Sequence, residues 1–227
     1  MIHGKLSTCF DIDLVLCFKF KNMSNVSVFC CLRGCLNGFK FTDNVPNAPK
    51  ENPIRLDTTF MGYEVVIVKG GQRVCGAGAA LGNAPLVQSK SYFEAKIQQG
   101  GSWSVGLATR QTDLSLTQGG MDEFSWSLCS DHIIRHDKKE LFKLDTGNTV
   151  KQINLQEGDL IGVSFDHIQL KFYVNGIELD YSVGNIKGTV FPAIYVDDGA
   201  IIDIILDNFI YPPPAGFEKI MLEQSLL

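Results

Sequence analysis

Apolar and polar residues alternate with a period of two along several short segments of the chain. The segment 161–165 shows the pattern most clearly, and the segment 170–174 repeats it after a short turn. Successive side chains of a strand point to opposite faces, so this period is typical of a half-buried strand. The dipeptide Asn175-Gly176 follows the second segment, and this pair tolerates positive φ at both turn positions. The pattern therefore predicts two antiparallel strands, each followed by a tight turn.

The same signal recurs over most of the chain, with strands predicted over residues 63–69, 93–97, 103–107, 126–128, 189–195 and 200–206. Gly100-Gly101 predicts a hairpin between two of these strands, and Trp103 and Trp126 fall on the phase that faces inward. Many short strands without a helix of three turns predict an all-β fold, an antiparallel β-sandwich. A short helix is predicted only near the end, over Phe217–Leu226, after three consecutive prolines.

The ends of the chain lack this regular pattern. Residues 1–22 contain an apolar run that charged residues interrupt, and a second methionine follows at Met23, so we interpret 1–22 as a doubtful N-terminal extension. Residues 23–55 are predicted to be a cysteine-containing flexible tail with a proline-rich linker. The sandwich domain is predicted over residues 56–211, and residues 212–227 form a C-terminal tail.

Composition narrows the possible partners. The chain has 227 residues and a net charge of −5, without a run of Lys or Arg, which argues against a nucleic-acid partner. It contains no stretch of 18 apolar residues, so no transmembrane helix is expected. We expect a cytoplasmic monomer.

The seven cysteines are odd in number and concentrated before residue 36, which does not suggest a disulfide framework. Cys75 and Cys129 are predicted to be small apolar core groups in a reducing compartment. Cys30 and Cys31 stand among apolar residues with basic residues nearby, and they are candidates for S-acylation and membrane association through two acyl chains. The alternative is an unmodified tail.

Candidate catalytic and metal-binding groups do not form a recognised motif. His132 and His136 lack metal-ligand spacing, and the adjacent Asp166 and His167 point to opposite sides of a strand. The glycine-rich segment 76–82 lacks the Lys-Ser/Thr of a phosphate-binding loop and is predicted to be a strand and turn. We expect no metal, no cofactor and no enzymatic activity.

Six segments together resemble the SPRY family, the β-sandwich core that is shared with B30.2 domains. Their order and spacing match the family pattern: Ser91–Ile97, Trp103–Thr109, Ser125–Leu128, Glu157–Asp159 with Gly162-Val163, Phe172–Gly176 and Ile186–Pro192. Outside them, Cys30–Arg33, Asp57–Gly62, Tyr195–Asp198 and Pro212–Lys219 resemble one member of the family. The resemblance implies a non-catalytic module that binds a peptide or protein through loops at one end of the sandwich.

The resemblance places the partner-binding loops at residues 72–74, 116–121 and 196–199, and the candidate site residues on them are Arg73, Gln118, Met121, Asp197 and Asp198. The family's peptide-binding surface carries a tyrosine and a tryptophan where this chain has glycines and aspartates. An acidic rim favours a basic or amide-bearing partner. The alternative is a glycan or small-molecule site, which requires an exposed aromatic residue, and the sequence offers only Tyr195 at the edge of these loops.

Overall fold

The computed structural model describes residues 53–144 and 153–222, and every regular element within them is a strand. The fourteen strands are β1 (Leu56–Met61), β2 (Glu64–Val68), β3 (Arg73–Gly82), β4 (Ser91–Gln99), β5 (Ser102–Ala108), β6 (Ser125–Cys129), β7 (Ile133–His136), β8 (Lys139–Lys143), β9 (Leu160–Phe165), β10 (Gln169–Val174), β11 (Ile177–Gly184), β12 (Phe191–Asp197), β13 (Ile201–Ile205) and β14 (Glu218–Lys219).

The strands form two sheets, and the predicted antiparallel β-sandwich is confirmed. Sheet A has the order β1-β3-β12-β5-β6-β7-β8, and sheet B has the order β11-β10-β9-β4-β13-β3-β2. All of these pairs are antiparallel, whereas the short β14 lies parallel to β4. The two strands that carry the clearest alternation, β9 and β10, pair as predicted, with Phe165 opposite Leu170. The turn at Asn175-Gly176 joins β10 to β11.

Strand β3 belongs to both sheets. Its first residue, Arg73, lies opposite Asp203 in sheet B, whereas Gly78 lies opposite Val196 in sheet A. The strand passes from one sheet to the other at Gly78, where φ is +127° and an added Cβ would lie 2.9 Å from the carbonyl oxygen of Leu114. A residue without a side chain is required for this crossing. The predicted glycine-rich strand at residues 76–82 is thus confirmed.

The main hydrophobic core fills the space between the two sheets. Phe93 and Phe172 of sheet B are fully buried against residues of sheet A such as Leu128 and Ile134. Trp103 and Trp126 belong to this core with exposures of 3% and 4%, which confirms their predicted inward orientation. Burial on this scale supplies the main driving force for folding.

Chain segments also cover the outer face of each sheet. The long connection between β5 and β6 covers sheet A, where a second cluster joins Leu81, Phe191 and Tyr195 to Leu114 and Leu116. On sheet B, the ring of Phe209 packs edge-to-face on Tyr92, with centroids 4.9 Å apart. This covering explains a difference from prediction. Strand β9 was expected to be half-buried, but all of its residues are buried.

Three local predictions are corrected by the structure. Gly100-Gly101 does not close a hairpin, because β4 pairs with β9 and β13 whereas β5 pairs with β12 and β6, so the two glycines connect one sheet to the other. Residues 217–222 contain β14 instead of the start of a helix, and residues 223–226 lie outside the described ranges. Cys75 lies partly exposed next to Arg73 and is not a core residue, whereas Cys129 is fully buried.

Candidate interaction surface

The connection between β5 and β6 is held in place by one carboxylate. Asp122 accepts hydrogen bonds from the hydroxyl of Thr112 at 2.7 Å, from the backbone N–H of Asp113 at 3.0 Å, and from the hydroxyl of Ser125 at 2.5 Å. The backbone N–H of Phe124 also donates to it, at 3.1 Å. Four donors on one carboxylate fix both ends of a loop that would otherwise be free to move.

The tip of this loop is bound to sheet A. The N–H of Gly119 donates to the hydroxyl of Ser104 at 3.1 Å, and the Cys129 thiol donates to the carbonyl of Gly119 at 3.6 Å. Burial raises the pKa of this thiol, so it stays protonated as a donor. Gln118 and Met121 stand on either side of the anchored tip and are partly exposed. The fold therefore holds these two candidate side chains on a fixed loop.

Asp197 and Asp198 lie at the end of β12, where the chain turns into β13. The N–H of Asp198 donates to the side chain of Asp197 at 2.9 Å, and the N–H of Ala200 donates to the carbonyl of Asp197 at 2.9 Å. Asp198 adopts φ of +49° and is exposed. Aspartate tolerates this conformation better than most residues, which suits it to the turn.

The β12 turn and the β5–β6 loop meet on the outer face of sheet A. An added Cβ on Gly119 would lie 2.8 Å from the ring of Tyr195, so the loop tip rests directly on that ring. Asp197 follows two residues later on β12 and shares the face of Tyr195. The structure thus places Gln118, Asp197 and Asp198 on the outer face of sheet A at one end of the sandwich, and we call these three residues the loop surface. Met121 lies further along the loop, between Gly120 and Asp122, whose carbonyl oxygens accept hydrogen bonds from the backbone N–H groups of Lys138 and Asp137.

Arg73 does not join the loop surface. Its strand partner Asp203 stands between two core residues of β13 and therefore points away from the core, on the outer face of sheet B. The Arg73 guanidinium donates to both oxygens of Asp203, and Lys69 and Gln98 donate to the same carboxylate, each at 3.1 Å. Arg73 is thus part of a polar network on the other sheet, and residues 73 and 74 belong to strand β3 and not to a loop.

The loop surface has an uncompensated negative charge. Arg135 is nearly buried, and its backbone lies next to Gly120. Its guanidinium already donates to both oxygens of Asp131, at 2.7 and 2.6 Å. The Asp131 hydrogen bond raises the pKa of Arg135. No cation of the described ranges pairs with Asp197 or Asp198. The sequence did not identify Arg135, since it lies more than ten positions from the loop tip that it supports.

Two further predictions concern metal sites and the N-terminal cysteines. Among the residues that the structure describes, no group of His, Cys, Asp and Glu is arranged to hold a metal ion. In the same residues, no helix has the length and apolar character to span a membrane. Cys30 and Cys31, the candidate acylation sites, lie outside the described ranges.

Comparison with known proteins decides the family. The model of the SPRY domain matches residues 90–209, which is more than half of the chain. The chain belongs to the SPRY family. It is similar to SPRY domain-containing protein 7 from Bos taurus, with 44% identity over 88% of this chain and 98% of the relative, and to the Homo sapiens protein of that name, with 43% identity over the same shares. These matches confirm the resemblance seen in the sequence.

Solved structures support the fold independently. The SPRY domain of human HERC1 is similar with a TM-score of 0.53 at 14% identity, over 66% of this chain and 96% of that one. The TRIM65 PSpry domain is similar with a TM-score of 0.54 at 14% identity, over 69% of this chain and 90% of that one. SPRY domains are generally modules for protein–protein interaction, so the family points to binding.

Proposed function

We propose that this SPRY protein is a non-catalytic adaptor that presents its loop surface to a basic or amide-bearing segment of a protein partner. The observation that carries the proposal is the pair Asp197 and Asp198, which no cation of the described residues neutralises, beside a loop that the fold holds in place. A partner with Lys, Arg, Asn or Gln side chains would supply the missing hydrogen-bond donors.

Rigidity supports this proposal because binding does not then require much ordering of the surface. The Asp122 carboxylate and the Gly119 hydrogen bond fix the β5–β6 loop before any partner arrives. A preorganised surface loses less conformational entropy on association than a mobile one. Loops mounted on a stiff sandwich are a common basis for recognition.

A glycan site receives no support from this surface. Sugar recognition requires an exposed aromatic face, and Tyr195 is fully buried, with its hydroxyl 3.0 Å from that of Thr112. We therefore propose a protein or peptide ligand. By the same proposal the protein acts in the cytoplasm as a monomer, with membrane association through Cys30 and Cys31 as a separate possibility.

The test is a quantitative affinity purification with the full chain and with the double variant Asp197→Asn/Asp198→Asn. This change removes two negative charges and keeps the side-chain shape. We expect at least one protein to be captured by the natural chain and lost, by about tenfold or more, with the variant. A direct binding measurement with that purified protein follows.

The matched control is Asp180→Asn/Asp207→Asn, which removes two exposed carboxylates away from the loop surface. The control should retain the same captured protein. Equal capture by all three chains would contradict the assignment of the loop surface. Loss with both double variants would show an effect of net charge alone and would contradict it equally.

A further inference from the structure

A concave site lies at the opposite end of sheet A from the loop surface. It is a cleft of about 1180 Å³ between the residues that follow β5 and the connection from β11 to β12. Strand β5 begins beside Asp197 at Ser102 and ends at Ala108 on the rim of the cleft. Six residues of strand span about 20 Å, so the two sites are well separated.

Arg110 lies on one wall of this cleft, and its guanidinium is held in a fixed orientation. Its guanidinium carbon lies 3.7 Å from the centroid of the Phe60 ring and 4.6 Å from that of Phe191. The only carboxylate of the described ranges that pairs with it is Asp57, at a long 3.5 Å. Stacking on two rings orients the plane of the guanidinium and leaves its N–H edges available to an acceptor.

Lys187 stands on the facing wall and is exposed, and it has no ion-pair partner in the described part of the chain. His136 also lines the cleft, stacked on Trp126 with ring centroids 4.6 Å apart. Its Nδ1 lies 2.9 Å from the carbonyl oxygen of Ser125 and must therefore donate to it, which leaves Nε2 as the open nitrogen. Arg110 and Lys187 can therefore donate to an anionic group of a ligand, whereas Nε2 of the neutral His136 ring is an acceptor that a ligand N–H can meet.

Two carboxylates of the cleft decide what kind of anion fits. Asp137 is already paired with Lys139 at 2.8 Å, which lowers its pKa, but Glu123 is exposed and has no cation beside it among the described residues. A compact polyanion such as a phosphate would be repelled by these carboxylates. A peptide segment offers both signs of partner, since an acidic side chain can meet Arg110 while backbone N–H groups donate to Glu123.

We propose that this cleft is a second docking site, which takes an acidic segment of a protein partner through Arg110 and Lys187. The site is separate from the loop surface and has the opposite charge preference. One adaptor could then hold two partners at once, a basic segment at the loop surface and an acidic segment at Arg110 and Lys187 of the cleft.

The test uses the ¹⁵N-labelled full chain and two pools of short synthetic peptides with random flanking residues. One pool has Asp at the central position, and the other has Asn there. We expect the Asp pool to shift the backbone amide signals of Arg110, His136 and Gly188, and the Asn pool to leave them unchanged. Equal shifts with both pools, or shifts only elsewhere, would overturn the proposal. So would identical shifts with inorganic phosphate, which would indicate an anion site without peptide recognition.

A second experiment uses the variant Lys187→Glu, because the charge of an exposed lysine can be reversed without disturbing the fold. We expect it to weaken binding of the Asp pool by about tenfold. The matched control is Lys143→Glu on the exposed edge strand β8, which makes the same charge change outside the cleft and should retain binding. Equal weakening by both variants would refute a specific role for the cleft. The double variant at Asp197 and Asp198 should bind the Asp pool normally, which separates this test from that of the loop surface.

Discussion

The carboxylate of Glu94 accepts a hydrogen bond of 2.9 Å from the backbone N–H of Tyr211, a residue 117 positions later in the chain. The N–H of Ile210 donates to the other oxygen at 2.8 Å, and the Tyr92 hydroxyl lies 3.2 Å away. Glu94 is fully buried. A buried carboxylate is tolerated only when its oxygens are satisfied, so these bonds attach the C-terminal segment to the outer face of sheet B.

Glu94→Gln should loosen this attachment. The amide –NH₂ of glutamine replaces one acceptor oxygen and would face an N–H donor, so one backbone group loses its partner. We expect a loss of about 1–3 kcal/mol in the free energy of unfolding, measured by urea denaturation. Hydrogen exchange at the backbone amides of Ile210 and Tyr211 should accelerate.

The control is Glu178→Gln, which affects an exposed ion pair with Lys171. It should lower the free energy of unfolding by less than about 1 kcal/mol. Unchanged exchange at both amides would contradict the role of Glu94.

Gly162→Ala should be destabilising because β9 passes directly under a tyrosine. An added Cβ would lie 2.5 Å from the Tyr92 hydroxyl oxygen, and that ring is fixed by Phe209. We expect a loss of about 1–3 kcal/mol in the free energy of unfolding, typical of overpacking. Gly184→Ala is the control, since its Cβ would meet only a carbonyl at 3.7 Å. In a Tyr92→Phe background the cost of Gly162→Ala should fall, and an undiminished cost would show that the hydroxyl is not the obstacle.

The sequence predicted the strands and turns that depend on local periodicity. Alternation over residues 161–165 predicts strand β9, and Asn175-Gly176 predicts the turn that follows β10, because both signals are complete within a few residues. Alternation over residues 93–97 likewise predicts strand β4, but the structure buries Glu94, which is out of phase with the apolar residues of that strand. The burial of Glu94 depends on a segment more than a hundred residues away, and no local pattern contains that information.

The candidate site, like the fold, was predicted only in part from the sequence. The resemblance grouped the loops that carry Gln118, Asp197 and Asp198, and in the structure they approach each other because β5 and β12 are neighbours in sheet A. Arg73 was grouped with them because the resemblance placed residues 72–74 among the partner-binding loops, whereas the structure pairs Arg73 of β3 with Asp203 in sheet B. The cleft at Arg110 and Lys187 was missed, since its walls come from residues about 80 positions apart that form no sequence motif.

The Asp203 network should make stability depend on pH in the acidic range. Burial acts to raise the pKa of Asp203, but hydrogen bonds from Arg73 and Lys69 outweigh it, so the pKa lies below its ordinary value. The unfolded chain has an aspartate pKa of about 3.9, so the stabilisation is complete above that pH and is lost as the pH falls through the lower folded value.

We therefore expect Asp203→Asn to cost about 1–3 kcal/mol at neutral pH and progressively less below about pH 4. Urea denaturation of both proteins over a series of pH values measures the difference. Asp207→Asn, at an exposed pair with Lys219, should show a much smaller effect. A difference between Asp203→Asn and the natural chain that stays constant down to the most acidic pH would refute the ionic role.

The two cysteines of the described sandwich should differ in reactivity. The thiolate is the reactive form, and burial both raises the pKa of the Cys129 thiol and shields its sulfur, which donates to Gly119. Cys75 is partly exposed and makes only a long 3.9 Å contact with the carbonyl of Val66. Iodoacetamide should therefore modify Cys75 well before Cys129 in the folded protein, as measured by mass spectrometry of the digested chain. Both should react alike in urea. Equal rates in the folded protein would mean that the β5–β6 loop opens often, and the rigidity on which the loop surface depends would then be lost.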